Sequence, residues 1–146
     1  MPTDTQKLPV HMIGYKIKQL QHGLRTRMDV ELRAMGLSTA HYALLTAIGQ
    51  GAEASSADLA RRCFIKPSSI RELIVRLERD GMIERHSSEA DGRVIKVNLT
   101  STGKRALGAA RNNVKSIEAE MLRGLSGEEQ STLSRLLGRC VEAFEV

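Results

Sequence analysis

The segment from Ser55 to Thr100 constrains the fold of this chain more than any other part of it. It begins with a Ser-x-x-Asp pattern, Ser55 to Asp58, which is typical of a helix start because both side chains can accept backbone N–H groups of the first turn. Pro67 then suits the first position of a second helix, where its missing N–H is not needed. We therefore predict a short helix over 56–63 and a longer one from 67 to about 80.

The longer of these helices is predicted to be amphipathic. Apolar residues recur along it at spacings of three and four, so they share one face at 3.6 residues per turn. These residues are Ile70, Leu73, Ile74 and Leu77. Gly81 follows as a residue that tolerates a positive φ and ends the helix. At roughly 100° per residue the opposite face is mostly polar. Its members are Ser68, Glu72, Val75 and Arg79, flanked by Ser69, Arg71 and Arg76.

Two short segments after this helix, 82–86 and 94–99, alternate apolar and polar residues, which predicts half-buried strands. Asp91-Gly92 between them is a turn signal. Because the connection over about 87–93 is longer than a minimal hairpin turn, we expect it to project as a wing with Arg93 at or near its tip. A projecting arginine suits the narrow, negatively charged minor groove of DNA. A helix-turn-helix followed by such a hairpin is the arrangement of a DNA-binding winged helix.

The outward helix face and the wing together form a candidate DNA interface. Arg71 can form two hydrogen bonds to guanine, and Glu72 can accept one from cytosine. Ser55 and Ser56 can cap a helix and contact phosphate at the same helix N-terminus. The alternative, that the helix charges are simply solvated, is disfavoured by the wing that follows them. The predicted DNA-contacting residues are Ser55, Ser56, Lys66, Ser68, Ser69, Arg71, Glu72, Arg76, Arg79, Asp91 and Arg93.

A longer pattern of residues runs through 59–103. Its helix core is Ile70, Arg71, Leu73, Ile74, Arg76, Leu77 and Glu78, its next turn is Gly81, Met82, Ile83 and Arg85, and its wing and following strand hold Asp91, Arg93, Leu99, Thr100 and Gly103. This pattern resembles the signature of the MarR family of bacterial transcription regulators. Upstream, 36–48 resembles the second helix of that family, with Ser38 as N-cap. The chain departs from the family at Gly92, where a cation is frequent, and at Arg71 and Glu72, where Thr and Arg are commoner, so an operator sequence is not transferable from relatives.

The resemblance implies one MarR-like domain over 1–146, mostly α with a small β-hairpin wing. A winged helix-turn-helix lobe over 37–100 would lie between dimerisation helices over 8–35 and 102–146. It implies that Arg76 pairs with Asp91 and anchors the wing. It also implies a cleft for a phenolic or aromatic carboxylate effector between the dimer helices and the DNA-binding lobe. The candidate ligand residues near that cleft are His11, Tyr15, Arg25, His41 and Tyr42, with ordinary core packing as the alternative for the tyrosines.

The flanking segments predict a homodimer. A single apolar stripe follows the helical repeat over 8–35, Thr102 is placed to cap a helix after the wing, and Ser126-x-x-Glu129 is a capping box for a last helix. These three helices would expose more apolar surface than one chain can cover, and a twofold dimer would bury it. Two recognition helices roughly 34 Å apart can then enter successive major grooves of a pseudo-palindromic site.

Composition excludes several other classes of protein. The net charge of +5 favours a polyanionic partner only modestly. No zinc motif, phosphate-binding glycine loop or nucleophile elbow is present, so we predict no metal, no cofactor and no enzymatic activity. The absence of an apolar run of about 18 residues predicts a cytoplasmic protein. Two alternatives remain open: a redox-responsive regulator acting through Cys63, and a winged helix that binds another protein.

Overall fold

The computed structural model describes residues 12–51, 54–87 and 94–145. Within these ranges the chain forms six helices and three short strands. In chain order they are α1 (Met12–Arg33), α2 (Thr39–Gly49), β1 (Ala54–Ser55), α3 (Ser56–Arg62), α4 (Pro67–Arg79), β2 (Ile83–Ser87), β3 (Val94–Leu99), α5 (Ser101–Met121) and α6 (Gly127–Glu142). The predicted mostly helical chain with a small β-hairpin is confirmed.

The three strands form one antiparallel sheet in the order β1, β3, β2. In the hairpin, Ile83 pairs with Leu99 and Ser87 pairs with Ile95. The two-residue strand β1 was not predicted, because two residues are too few to show an alternating pattern. The predicted wing tip, with Asp91, Gly92 and Arg93, lies outside the described residues.

The hydrophobic core lies between α2, α3, α4, β2 and α5 and includes the end of α1. Burying a Leu or Ile side chain contributes about 1.5–3 kcal/mol, so this cluster is the main stabilising element. On α4 the predicted stripe faces it: Ile70, Ile74 and Leu77 are at most 2% exposed. The side chains that are 2% exposed or less are Leu32, Leu44, Leu45, Leu59, Ala60, Ile70, Ile74, Leu77, Ile83 and Ala110.

Three helix starts are closed by reciprocal capping boxes. Ser38 and His41 cap α2, Ser55 and Asp58 cap α3, and Ser126 and Glu129 cap α6. The Ser38, Ser55 and Ser126 caps were predicted and are confirmed. In each box the serine oxygen and the side chain three residues later satisfy N–H groups that the helix leaves free.

The predicted cap at Thr102 is wrong. Thr100 caps α5, because its hydroxyl oxygen accepts a hydrogen bond from Gly103 N–H over 3.0 Å. Thr102 is an exposed residue inside the first turn of the helix. The helix therefore starts immediately after β3, without a loop.

Helix α1 ends earlier than the predicted boundary at residue 35. The chain leaves it after Arg33 through Gly36, which has a φ of 76°, and the Leu37 N–H returns to the Leu32 carbonyl oxygen over 2.9 Å. This is the usual hydrogen-bonded helix end with a glycine in the left-handed region. The N-terminal part of the predicted helix, 8–11, lies outside the described residues.

Apolar side chains remain exposed on the two outer helices. On α1, Ile13, Ile17 and Leu20 are between 43% and 58% exposed. Helix α6 has no buried residue, and it exposes Leu136, Leu137 and Val141. Among the described residues, no helix combines the length and the hydropathy needed to cross a membrane.

Candidate nucleic-acid interface

The outward face of α4 is the centre of the candidate interface. Ile70, Ile74 and Leu77 are held in the core, so the opposite side of the helix faces solvent. Ser68, Arg71, Glu72, Val75, Arg76 and Arg79 are exposed, and Ser69 is half-buried. Lys66 is the N-cap residue and Pro67 occupies the first turn, as the sequence predicted. This face presents two hydroxyls, three guanidinium groups and one carboxylate to a partner.

The N-terminus of α3 is occupied by its own capping box, formed by Ser55 and Asp58. The Ser55 oxygen accepts a hydrogen bond from Asp58 N–H over 3.0 Å, and the Ser55 N–H donates to the Asp58 carboxylate over 3.3 Å. Hydrogen bonds to the Asp58 carboxylate from the Ser55 side chain and then the Ser55 backbone N–H, followed by one from Arg61, hold the pKa of the Asp58 carboxyl below its ordinary value. Ser55 and Ser56 are both half-buried. Ser55 therefore serves first as a structural cap, and phosphate contacts by the two serines stay a prediction.

Two ion pairs lie at the end of the recognition helix. Arg85 Nε on β2 is 3.2 Å from Glu78 Oε2 on α4, which joins the wing to the helix. Arg76 Nε is 3.8 Å from Asp80 Oδ2. The predicted partner of Arg76, Asp91, lies outside the described residues. Since all four side chains are substantially exposed, each pair is worth at most about 1 kcal/mol and acts mainly to orient the groups.

A second link between the helix and the wing is made by two hydrogen bonds that Thr100 donates to backbone carbonyl groups. The Thr100 hydroxyl donates to the Gly81 carbonyl oxygen over 2.6 Å, and Thr100 N–H donates to the Met82 carbonyl oxygen over 3.0 Å. Gly103 packs so closely on Met82 that a Cβ added there would lie 1.9 Å from the same carbonyl oxygen. The Leu-Thr-x-x-Gly motif, which the sequence showed only as a resemblance, thus holds β3 and α5 against the turn that ends α4.

His41 lies behind this interface, inside the lobe. It is 5% exposed, and its Nδ1 accepts a hydrogen bond from Ser38 N–H over 3.1 Å. Its Nε2 is buried and has no hydrogen-bond partner within the described part of the chain. Burial lowers the pKa of His41, the positive charge of Arg76 lowers it further, and Asp80 opposes the shift. The neutral form of the ring is therefore favoured.

The chain is similar in sequence to several known transcription regulators. A model of the MarR family matches residues 35–94, which span the helix-turn-helix and the first wing strand, β2, and end at the first residue of β3. The HTH-type transcriptional repressor Rv2887 of Mycobacterium tuberculosis is 27% identical over 125 residues, covering 86% of this chain and 90% of its own length. The uncharacterised HTH-type transcriptional regulator YdgJ of Bacillus subtilis is 30% identical over 122 residues, covering 83% of this chain and 74% of its own.

The chain belongs to the MarR family. Its structure agrees with that assignment: the crystal structure of Rv2887 with salicylic acid superposes with a TM-score of 0.74 and 26% identity, covering 92% of this chain and 98% of that one. A MarR-family regulator from Silicibacter pomeroyi superposes with a TM-score of 0.81 at 17% identity, over 96% and 98% of the two chains, which shows the shared fold. In this MarR-family chain α4 is the second helix of the helix-turn-helix, and β2 with β3 forms the wing.

The candidate ligand residues of this MarR-family chain are not joined into one cluster. His11 lies outside the described residues, Tyr15 is 55% exposed, and Arg25 is exposed on α1. His41 is buried in its capping box, and Tyr42 is half-buried against the core. Among the described residues, no hydrogen bond or ion pair connects any two of these side chains. Their role in effector binding stays a prediction.

A groove of about 350 Å³ lies elsewhere, between α1 and α5. It is lined by Gln19, Leu20, Gly23, Leu24, Arg27, Ile117, Glu120, Met121 and Arg123, and so by none of the predicted ligand residues. Arg27 and Glu120 form an ion pair across it with an N–O distance of 2.7 Å. The sequence did not indicate this groove, because the two helix segments are about ninety residues apart and each alone looks like an ordinary amphipathic face.

Cys63 is the C-cap residue of α3 and is half-buried. Burial raises the pKa of its thiol, and the opposing effect of Arg62 is smaller. A reactive cysteine needs a lowered pKa, since the thiolate is the nucleophile. The environment of Cys63 therefore disfavours redox sensing, and its side chain packs against the hydrophobic core as a small apolar group.

Proposed function

We propose that this protein is a homodimeric regulator that binds a specific pseudo-palindromic DNA site through α4 and the wing, and acts as a repressor. The observation that carries the proposal is the division of α4 into two faces. One face is locked into the core by Ile70, Ile74 and Leu77, and the other exposes hydroxyl, guanidinium and carboxylate groups. Such a helix is rigidly held and has the groups that read base edges in a major groove.

The dimer is supported by the exposed apolar faces of α1 and α6. An unpaired helix face of this kind is unfavourable in water, and a second copy related by a twofold axis would cover it. A dimer also places two recognition helices on the two halves of one site, roughly 34 Å apart. In this arrangement Arg93 of each wing would reach the flanking minor groove, while Asp91 would pair with Arg76 and anchor the wing.

The DNA-binding proposal is tested on a duplex selected by the wild-type protein from a random pool. Arg71→Ala should weaken binding to the selected duplex by about 1–3 kcal/mol and relax base preference at one position of each half-site, because a bidentate contact is lost. Arg111→Ala is the matched control, since Arg111 is exposed on α5, away from the recognition helix. Equal affinity of the wild type and Arg71→Ala, with unchanged base preference, would contradict the role of α4.

The proposal includes release from DNA by a small aromatic carboxylate. It is supported by the relative Rv2887, which is 26% identical to this chain and has a crystal structure in complex with salicylic acid. A ligand can weaken DNA binding only if it prefers the free form of the dimer over the DNA-bound form. Titration of salicylate into the protein–duplex complex should raise the Kd for the duplex, with benzyl alcohol as the uncharged control. An unchanged Kd at saturating salicylate, with salicylate binding measured directly, would remove effector release from the proposal.

A further inference from the structure

Phe64 occupies the turn between α3 and α4 in an unusual state. Its side chain is 97% exposed, the largest exposed fraction among the exposed large hydrophobic residues of the described chain. Its φ is 55°, and it is the one non-glycine residue with a positive φ in the described ranges. The ring therefore projects into solvent from a backbone conformation that L-residues rarely adopt.

The backbone around Phe64 explains the positive φ. Ile65 N–H donates to the Ala60 carbonyl oxygen over 2.8 Å, and Phe64 N–H donates to the Arg61 carbonyl oxygen over 3.3 Å. This pattern ends a helix through a left-handed residue, and glycine is the usual occupant because it has no Cβ. Phenylalanine at this position costs conformational energy and leaves a large apolar surface in water. Glycine would remove both costs, so stability does not account for the ring.

The charges around the ring indicate what it contacts. Arg61, Arg62 and Lys66 are exposed within three residues of it along the chain, and Lys66 is the N-cap of the recognition helix. Asp58, which pairs with Arg61, is the acidic residue near this turn. An apolar ring set among cations and next to the base-reading helix suits a polyanion that also has apolar patches. Double-stranded DNA has both, since phosphates alternate with deoxyribose faces and thymine methyl groups line the major groove.

We propose that Phe64 is a DNA contact, packing its ring on an apolar patch of the duplex, a thymine methyl group or a deoxyribose, at the edge of the groove that α4 enters. This inference rests on the proposed DNA-binding function and adds a residue that contributes affinity without charge. Because the ring neutralises no phosphate, its contribution should not change the number of counterions released on binding.

The test exploits the two opposite effects of one substitution. Phe64→Gly should raise the Tm, since it relieves the left-handed strain, and should weaken binding to the selected duplex about tenfold, since burial of the ring is lost. The slope of log Kd against log salt concentration should stay that of the wild type. Phe64→Leu is the matched control: it keeps both the strain and an apolar side chain, and should retain most of the affinity.

Replacing the thymines of the selected site with deoxyuridine, one at a time, removes single methyl groups and so distinguishes a thymine methyl contact from a deoxyribose contact. If one replacement weakens duplex binding by the wild type but not by Phe64→Gly, the ring packs on that thymine methyl group. If every replacement changes the affinity of both proteins equally while Phe64→Gly still binds more weakly, the ring packs on a deoxyribose. Wild-type affinity of Phe64→Gly would overturn the contact, and loss of transcriptional repression with unchanged DNA affinity would instead assign the ring to a protein partner. Absence of duplex binding by the wild type would overturn the proposed DNA-binding function as well. Failure of the Phe64 contact alone is therefore distinguishable from failure of the proposed function.

Discussion

The Thr100 hydroxyl lies 2.6 Å from the Gly81 carbonyl oxygen, and this hydrogen bond joins the end of the wing to the turn that ends the recognition helix. The same hydroxyl oxygen accepts the Gly103 N–H at the start of α5. One side chain therefore connects three elements: α4, β3 and α5. Thr100 therefore helps to hold the wing strand against the end of α4.

Thr100→Val should lower the free energy of unfolding by about 1–2 kcal/mol, because it removes a helix N-cap and a second hydrogen bond while keeping the side-chain volume. Urea denaturation followed by circular dichroism measures the change. Thr102→Val is the matched control, since Thr102 is exposed in the same helix turn and should change stability by less than about 0.5 kcal/mol. Equal losses in the two variants would contradict the assignment of Thr100 as the cap.

Gly103→Ala should destabilise the fold by about 3 kcal/mol or more, because the new Cβ would lie 1.9 Å from the Met82 carbonyl oxygen and 2.9 Å from its carbonyl carbon. Backbone must move to accept it. Gly108→Ala, in the same helix with no atom within 4 Å of the new Cβ, should instead stabilise by up to about 1 kcal/mol. Opposite signs of the two changes in Tm are the expected result, and a neutral Gly103→Ala would show that α5 does not pack on Met82 in this way.

Stability should fall as the solution is acidified through the titration range of His41. Its pKa in the folded chain is lowered from 6.5, so the unfolded chain binds the proton more readily, and unfolding is favoured as pH drops below about 6.5 and through the lower folded pKa. His41→Gln keeps a side chain that can complete the capping box but does not titrate. Urea midpoints measured between pH 5 and pH 8 should show a shallower pH dependence in His41→Gln than in the wild type. Identical pH profiles would contradict the burial of the neutral ring.

The exposed face of α6 gives a prediction about assembly. Leu137→Glu should convert the proposed dimer to a monomer that retains its helical content, because a carboxylate would be buried in the apolar interface. Sedimentation velocity measures the change in mass. Ser131→Glu introduces the same charge at an exposed position on the opposite side of α6 and should leave the dimer intact. A dimeric Leu137→Glu would show that another surface holds the two copies together.

Local patterns in the sequence predicted much of the fold correctly. The Ser-x-x-Asp and Ser-x-x-Glu boxes at Ser55 and Ser126 locate helix starts because all their partners lie within three residues. The stripe through Ile70, Ile74 and Leu77 located both faces of α4 for the same reason, since a helix repeats locally. Pro67 and Gly81 located the start and the end of α4.

The features that were missed depend on contacts between distant residues. Thr100, rather than Thr102, caps α5 because a carbonyl group nineteen residues earlier, at Gly81, holds its hydroxyl in place. The groove between α1 and α5 depends on the approach of Arg27 to Glu120, which are 93 residues apart. The left-handed backbone at Phe64 has no local signal in the sequence, because the residue there is not the glycine that usually marks such a helix end.

The central claim is that the winged-helix lobe binds a specific DNA sequence, and the most direct test is the ratio of two affinities at one salt concentration. Fluorescence anisotropy would give the Kd of the wild-type protein for its selected duplex and for a scrambled duplex of the same composition. We expect the selected duplex to bind at least about a thousandfold more tightly, as is typical of specific regulators. Equal affinities for the two duplexes would contradict it.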